Sequence, residues 1–122
     1  MDKNKFKKQR RNKIRRRIRS TIQGTSDRPR FSVYKSNKYI YLQLINDLNG
    51  QTLLSNSSNS VALREELQDK TPLESAKILG EQLAKAALDQ GIDKAVFDRS
   101  GYKYHGIIKA VAEGAREGGL DL

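Results

Sequence analysis

The chain of 122 residues contains no cysteine and a single histidine, His105. Without cysteine there are no disulfide bonds and no thiolate metal sites, and a reducing compartment is compatible with the composition. His105 has no carboxylate at the spacing that metal ligands use. A structural role or a contact to a binding partner is therefore favoured for His105 over metal binding or catalysis.

Long apolar runs and nucleotide-binding fingerprints are also missing. No stretch approaches the roughly 20 apolar residues that cross a bilayer, and neither a phosphate-binding loop nor a dinucleotide motif occurs. Asp98 could hold a metal ion at the end of a predicted strand with Asp47 as its second ligand, but metal-dependent phosphodiester cleavage uses several converging carboxylates. We expect no enzyme activity, cofactor, metal, small-molecule substrate or membrane partner.

Acidic residues are scarce in the first 30 positions, which hold thirteen Lys or Arg against Asp2 and Asp27. The other 92 residues hold eleven basic and twelve acidic side chains, so the net charge of +10 belongs to one segment. The sequence predicts a basic arm, residues 1–27, on a single body, residues 28–122. A concentrated basic arm on a near-neutral body indicates a polyanionic partner.

The arm has the pattern of a helix. No proline or glycine interrupts residues 2–22, and Ile14, Ile18 and Ile22 fall in one stripe. We expect this helix to fray until phosphates neutralise it and to end at Gly24. A solvated tail, a helix on anionic lipid and a transit peptide are the alternatives. The predicted phosphate contacts are Lys7, Lys8, Arg10, Arg11, Lys13, Arg15, Arg16, Arg17 and Arg19, with Arg28 and Arg30 at the entry to the body.

The body begins with a predicted hairpin. Residues 30–36 and 39–45 alternate in polarity around the two-residue turn Asn37-Lys38. This register places Tyr34 opposite Tyr41 and leaves two different faces. The core face carries Phe31, Val33, Ile40, Leu42 and Leu44, and the polar, aromatic face carries Ser32, Tyr34, Ser36, Tyr39, Tyr41 and Gln43.

The remaining elements predict an α/β fold. The first are a turn at Asn49-Gly50, a strand over 51–55, a mobile loop over 55–60 and a short helix over 61–67. A long helix capped by Thr71 and stopped by Gly91, a strand over 92–98 and a helix over 106–117 follow. The small apolar face of the first long helix (Ala76, Gly80, Leu83, Ala84, Ala87) is expected to pack on the sheet. A helical crossover between strands implies a parallel pair. The prediction is a two-layer body with a mixed sheet (an antiparallel meander of three strands plus one strand), both helices on one face and the aromatic face open.

The segment FDRSGYKYHG, residues 97–106, joins the last strand to the last helix. It offers Arg99 and Lys103 for phosphate, Tyr102 and Tyr104 for stacking, and Gly101 and Gly106 for close approach, a combination that suits nucleic acid. The alternative is a loop whose tyrosines pack inward and whose glycines only make turns.

Two stretches resemble one known family. The first runs from Gly24-Thr25 through RPRF, residues 28–31, and KSNKYIY, residues 35–41, to Asn49-Gly50, and the second is FDRSGYKYHG with Ala110 and residues 115–117. They resemble the bacterial-type large-subunit ribosomal protein 18 family, which binds 5S rRNA. The resemblance implies a ribonuclease-H-like topology without a catalytic site. It also implies a role in attaching 5S rRNA to 23S rRNA in the central protuberance, beside other large-subunit proteins, in a cytoplasmic or plastid ribosome.

The resemblance removes the transit-peptide alternative, because a basic N-terminus belongs to that family. Two positions depart from its pattern: Ile107 stands where the family usually has Arg, and Leu122 where an aromatic residue is common. A general nucleic-acid chaperone or architectural protein is the rival function. The RNA contacts predicted in the body are Arg28, Arg30, Tyr34, Lys35, Ser36, Asn37, Lys38, Tyr39, Tyr41, Arg99, Gly101, Tyr102, Lys103, Tyr104, His105 and Gly106.

Overall fold

The computed structural model describes residues 8–14, 16, 23–36, 39–59, 63 and 66–122. The strands are β1 (Arg30–Lys35), β2 (Ile40–Asn46), β3 (Gln51–Ser57) and β4 (Val96–Asp98), and the long helices are α1 (Pro72–Asp89) and α2 (Ile107–Glu117). Residues 8–14 and 16 of the arm are helical, as are residues 63, 66 and 67 of the predicted short helix. Within the described ranges, no helix is long and apolar enough to span a membrane.

The four strands form one mixed sheet in the order β3-β2-β1-β4. β2 is antiparallel to β1 and to β3, whereas β4 is parallel to β1. This arrangement confirms the predicted meander and crossover. The predicted hairpin register is also confirmed, since Tyr34 pairs with Tyr41 and Ser32 pairs with Gln43.

The two faces of the hairpin differ as their side chains predict. Phe31, Val33, Leu42 and Leu44 are fully buried in the core that both helices cover, whereas the side chain of Tyr34 on the opposite face is 53% exposed. Burial of the apolar set contributes about 1.5–3 kcal/mol for each large side chain. This alternation fixes the register, because a slip of one residue would turn the apolar set to solvent.

The start of α1 follows from its capping box. The Oγ1 atom of Thr71 accepts a hydrogen bond from the backbone N–H of Glu74 (3.2 Å), and the Glu74 carboxylate accepts one from the backbone N–H of Thr71 (3.3 Å). Pro72 occupies the first turn, where its missing N–H has no helical partner to lose. The sequence predicted this start correctly.

The predicted end of β3, the predicted start of the loop after it and the predicted start of β4 are wrong. β3 extends to Ser57, so the first residues of the predicted mobile loop over 55–60 are strand. The pairing continues to Ser58, whose N–H donates to the carbonyl of Ile40 (3.0 Å). β4 starts only at Val96, because the N–H of Ile92 donates a hydrogen bond to the carbonyl of Ala87 (2.8 Å) near the end of α1.

The small apolar face of α1 was predicted to pack on the sheet, and at Gly80 the structure corrects this. A Cβ atom on Gly80 would overlap the backbone carbonyl of Val111 in α2, and one on Gly114 of α2 would overlap the backbone of Lys77 in α1. The two helices therefore approach backbone to backbone at these glycines. The small residues serve helix–helix packing as well as the sheet-facing core.

We expect Gly114→Ala to destabilise the protein. Overpacking costs about 1–3 kcal/mol, which outweighs the roughly 1 kcal/mol that alanine gains over glycine in a helix. Urea unfolding should therefore show a lower midpoint. Glu113→Ala, on the exposed side of the same helix, is the control and should change stability by less than about 0.5 kcal/mol. A more stable Gly114→Ala variant would contradict the close helix contact.

Candidate nucleic-acid interface

The arm and the loop between β4 and α2 are in contact. The guanidinium carbon of Arg11 lies 5.0 Å from the centroid of the Tyr102 ring, within the range of a cation–π interaction. Gly101 has a φ of +83°, and a Cβ atom there would overlap the backbone of Arg11. The glycine that was predicted to admit a ligand thus admits the arm.

Tyr102 also anchors the loop to the end of β1. Its hydroxyl accepts a hydrogen bond from the Lys35 N–H (3.3 Å) and donates one to the Lys35 carbonyl (3.2 Å). The Nη1 atom of Arg99 donates to the carbonyl of Tyr102 (3.1 Å). The inward-packing alternative therefore describes Tyr102, which has Arg11 over its ring and its hydroxyl bonded to the backbone. Arg99 lies half-buried beside it.

The rest of the loop faces solvent. The Tyr104 side chain is 42% exposed; its ring lies edge-on to Phe97 at 6.0 Å, and its hydroxyl accepts a hydrogen bond from Arg116 (3.0 Å). Lys103 and His105 are exposed. Gly106 precedes α2 with a φ of +57° and open space around it. These residues remain available to a partner.

The open sheet face carries an aromatic pair. The rings of Tyr34 and Tyr41 are 5.8 Å apart at 40°. They line a shallow depression of about 490 Å³ together with Ser32, Ser36 and Gln43. Such a surface combines ring faces for stacking with hydroxyl and amide groups for hydrogen bonds.

Tyr39 was predicted on this same face, but it does not line the depression that Tyr34 and Tyr41 share. It lines a different depression, of about 520 Å³, with Ile40, Pro72 and Ile107. β2 begins only at Ile40, so strand alternation does not fix the direction of Tyr39. Ile107 is half-buried there and packs against the core, as does Leu122.

Most described cations of the arm are free to meet phosphate. Lys8, Arg10, Lys13 and Arg16 are exposed, and so are Arg28 and Lys35 in the body; Ser36 is half-buried. Lys7, Arg15, Arg17, Arg19, Asn37 and Lys38 lie outside the described residues. Their contacts stay predictions.

Arg30 is placed differently from the other predicted contact residues, because it is 8% exposed and its donors meet carboxylates. Its Nη1 atom lies 2.8 Å from Oδ2 of Asp98, its Nε atom 3.0 Å from Oδ2 of Asp47, and its Nη2 atom 3.1 Å from Oδ1 of Asp47. Burial alone would lower the pKa of Arg30, but the hydrogen bonds and charges of the two carboxylates raise it. A phosphate contact by Arg30 would be limited to the few N–H groups that Asp47 and Asp98 leave unused on this buried side chain.

Asp47 and Asp98 are the two residues that the sequence offered as metal ligands. The guanidinium of Arg30 now lies between them, and the described part of the chain contains no group of three potential ligands for a metal ion. Sequence reasoning missed this pairing. Asp47 follows β2 and Asp98 ends β4, so only the sheet order brings both to the first residue of β1.

Comparison with known proteins identifies the family. A family model described as ribosomal L18 of archaea, bacteria, mitochondria and chloroplast matches residues 3–122. The chain is 50% identical over 122 residues to the large ribosomal subunit protein uL18 of Thermotoga petrophila, with all of both chains covered. It is 52% identical over 106 residues to that of Dictyoglomus thermophilum, with 87% of each chain covered. The chain therefore belongs to the ribosomal L18 family, whose members are structural proteins of the large ribosomal subunit and not enzymes.

Proposed function

We propose that this large-subunit protein binds 5S rRNA and helps to attach it to 23S rRNA in the central protuberance. The observation that carries the proposal is the contact of Arg11 with Tyr102, which is in turn bonded to Lys35. Through it the basic arm, the loop after β4 and the end of β1 form one surface beside the open face of the sheet. The resemblance of the sequence to a 5S rRNA-binding family supports the same partner.

The chemistry of this surface matches folded RNA. Cations of the arm neutralise phosphates and provide affinity without distinguishing one RNA from another. Sequence-specific RNA recognition depends on unstacked bases, which lie on aromatic rings and bond through their edges. Tyr34 and Tyr41 supply the rings, and Ser32 and Gln43 supply the hydrogen-bonding groups.

Competition binding tests the proposal against the general nucleic-acid chaperone. The protein should prefer folded 5S rRNA over a DNA duplex of equal charge at one fixed salt concentration. A footprint on 5S rRNA should then show protection confined to one region. Equal affinity for both nucleic acids would contradict the proposal and favour the chaperone.

Replacing a ring on the open face should weaken RNA binding more than folding. We expect Tyr34→Ala to cost about 1–3 kcal/mol of 5S rRNA affinity, the usual value of base stacking on an aromatic side chain. Its cross-strand contact with Tyr41 is worth only about 0.2–1 kcal/mol to stability. Filter binding measures the loss of RNA affinity in Tyr34→Ala, and thermal melting measures its loss of stability. Tyr34→Phe, which keeps the ring, is the control. Equal losses of binding and stability would show that the pair only supports the hairpin.

A further inference from the structure

We infer that Arg30 is a positioning residue that holds the entry of the arm and the loop after β4 in one fixed arrangement. This inference rests on the proposed function, because the arrangement is the one that would present both segments to RNA. Arg30 is 8% exposed and its side chain spans two carboxylates. It would thus determine RNA preference without touching the RNA.

The first link runs from Arg30 to the point where the chain enters the body. The Asp47 carboxylate that accepts from Arg30 also accepts a hydrogen bond from the backbone N–H of Gly24 (2.8 Å), and the Asp47 N–H donates to the Gly24 carbonyl (3.0 Å). A Cβ atom on Gly24 would overlap the backbone of Arg30 and of Ile45. This segment is therefore clamped against β1 and β2.

The second link runs from Arg30 to the loop. Asp98 is fully buried; one carboxylate oxygen accepts from Arg30, and the other accepts from the backbone N–H of Ser100 (2.8 Å). Ser100 has a φ of +55°, a left-handed conformation that costs energy for a residue with a side chain. The bond to Asp98 holds that conformation, which leads the chain into Gly101 and Tyr102 against the arm.

The planar guanidinium is the feature that makes both links at once. Its Nε and Nη2 atoms face Asp47 while Nη1 faces Asp98. A lysine ammonium keeps the charge but is a single compact donor group and cannot reproduce this fork. Arg30→Lys should therefore loosen the arrangement while leaving the net charge of the protein unchanged.

The test compares Arg30→Lys and Asp98→Asn with Leu83→Ala, a buried substitution in α1 that lowers stability away from the cluster. We expect the preference for 5S rRNA over an unrelated structured RNA to fall by about tenfold in the two cluster variants, the change that 1.4 kcal/mol of lost discrimination gives. The salt dependence of binding should be unchanged, because the arm keeps its cations. Amide hydrogen exchange should accelerate selectively at Gly24 and Ser100.

Leu83→Ala, measured below its melting temperature, should keep the parent preference and show no selective acceleration at those two amides. Cluster variants that keep the preference and the slow exchange of both amides would overturn the inference. If the parent itself shows no preference for 5S rRNA, the proposed function fails, and the exchange of Gly24 and Ser100 still decides whether Arg30 holds the two segments. Asp98→Asn provides the same readouts if Arg30→Lys does not fold.

Discussion

Deleting residues 1–22 should flatten the salt dependence of RNA binding while leaving the body folded. Six to eight engaged cations give a slope of log affinity against log salt of about −4 to −7, because each neutralised phosphate contributes about −0.7 to −0.9. Among the residues that the structure describes, the hydrophobic core cluster contains none before Phe31. Circular dichroism should therefore show an intact sheet, and binding titrations at several salt concentrations should show a slope reduced by at least half.

A charge-only version of this experiment separates the cations of the arm from its contact with the loop. Replacing the exposed Lys8, Arg10, Lys13 and Arg16 by glutamine keeps good helix formers and retains Arg11 on Tyr102. The slope should become shallower by about three, at roughly 0.7–0.9 for each cation. An unchanged slope in both variants would mean that the arm is a solvated tail.

The double substitution Arg99→Ala/Tyr102→Ala should remove most of the selectivity for 5S rRNA. Both residues stabilise the conformation of the loop. Arg99 donates a hydrogen bond to the Tyr102 carbonyl, and the Tyr102 hydroxyl is bonded to the backbone of Lys35. Without them the loop loses its shape, and its exposed Lys103 and Tyr104 no longer face the RNA together. We therefore expect a cost of about 2–5 kcal/mol for 5S rRNA, the size of one charged and one stacking contact. An unrelated structured RNA should bind almost as before through the intact arm.

Lys103→Ala is the matched control in the same loop. Lys103 is exposed, so its loss should weaken the binding of both RNAs to the same extent. It should also reduce the slope of log affinity against log salt by about one. Competition of the parent and both variants for the two RNAs, at one salt concentration, gives the comparison. If the double variant loses affinity equally for both RNAs, the loop is only another phosphate contact.

The parts of the fold that the sequence predicted are those that local rules determine. Alternation set the hairpin register, and the Thr71-Pro72 start set the beginning of α1. The length of β3 was missed because its end lies in a run of Ser and Asn, whose composition is typical of loops. Here pairing with β2 determines how far β3 extends, and the residues of β3 alone do not indicate this pairing.

The candidate site was predictable as a set of segments but not as a set of contacts. Composition alone pointed to the arm and to residues 97–106, whereas the contact of Arg11 with Tyr102 joins positions about ninety residues apart in the sequence. Arg30 shows the same limit. From the sequence alone, a basic residue next to a basic arm is predicted to contact phosphate. Only the order of the strands shows that Asp47 and Asp98 lie beside Arg30.

The two outer strands of the sheet bear on how the free protein avoids self-association. An unpaired strand edge is a template for intermolecular pairing, which charged or polar side chains, short length and bulges discourage. β3 is one edge: Gln51, Thr52 and Ser55 are exposed along it, and its pairing with β2 shifts register at Leu44/Ile45. β4, the other edge, is three residues long. A ribosomal protein must stay monodisperse between its synthesis and its assembly, and we expect the polar residues and bulge of β3 and the short length of β4 to discourage edge-to-edge pairing during that interval.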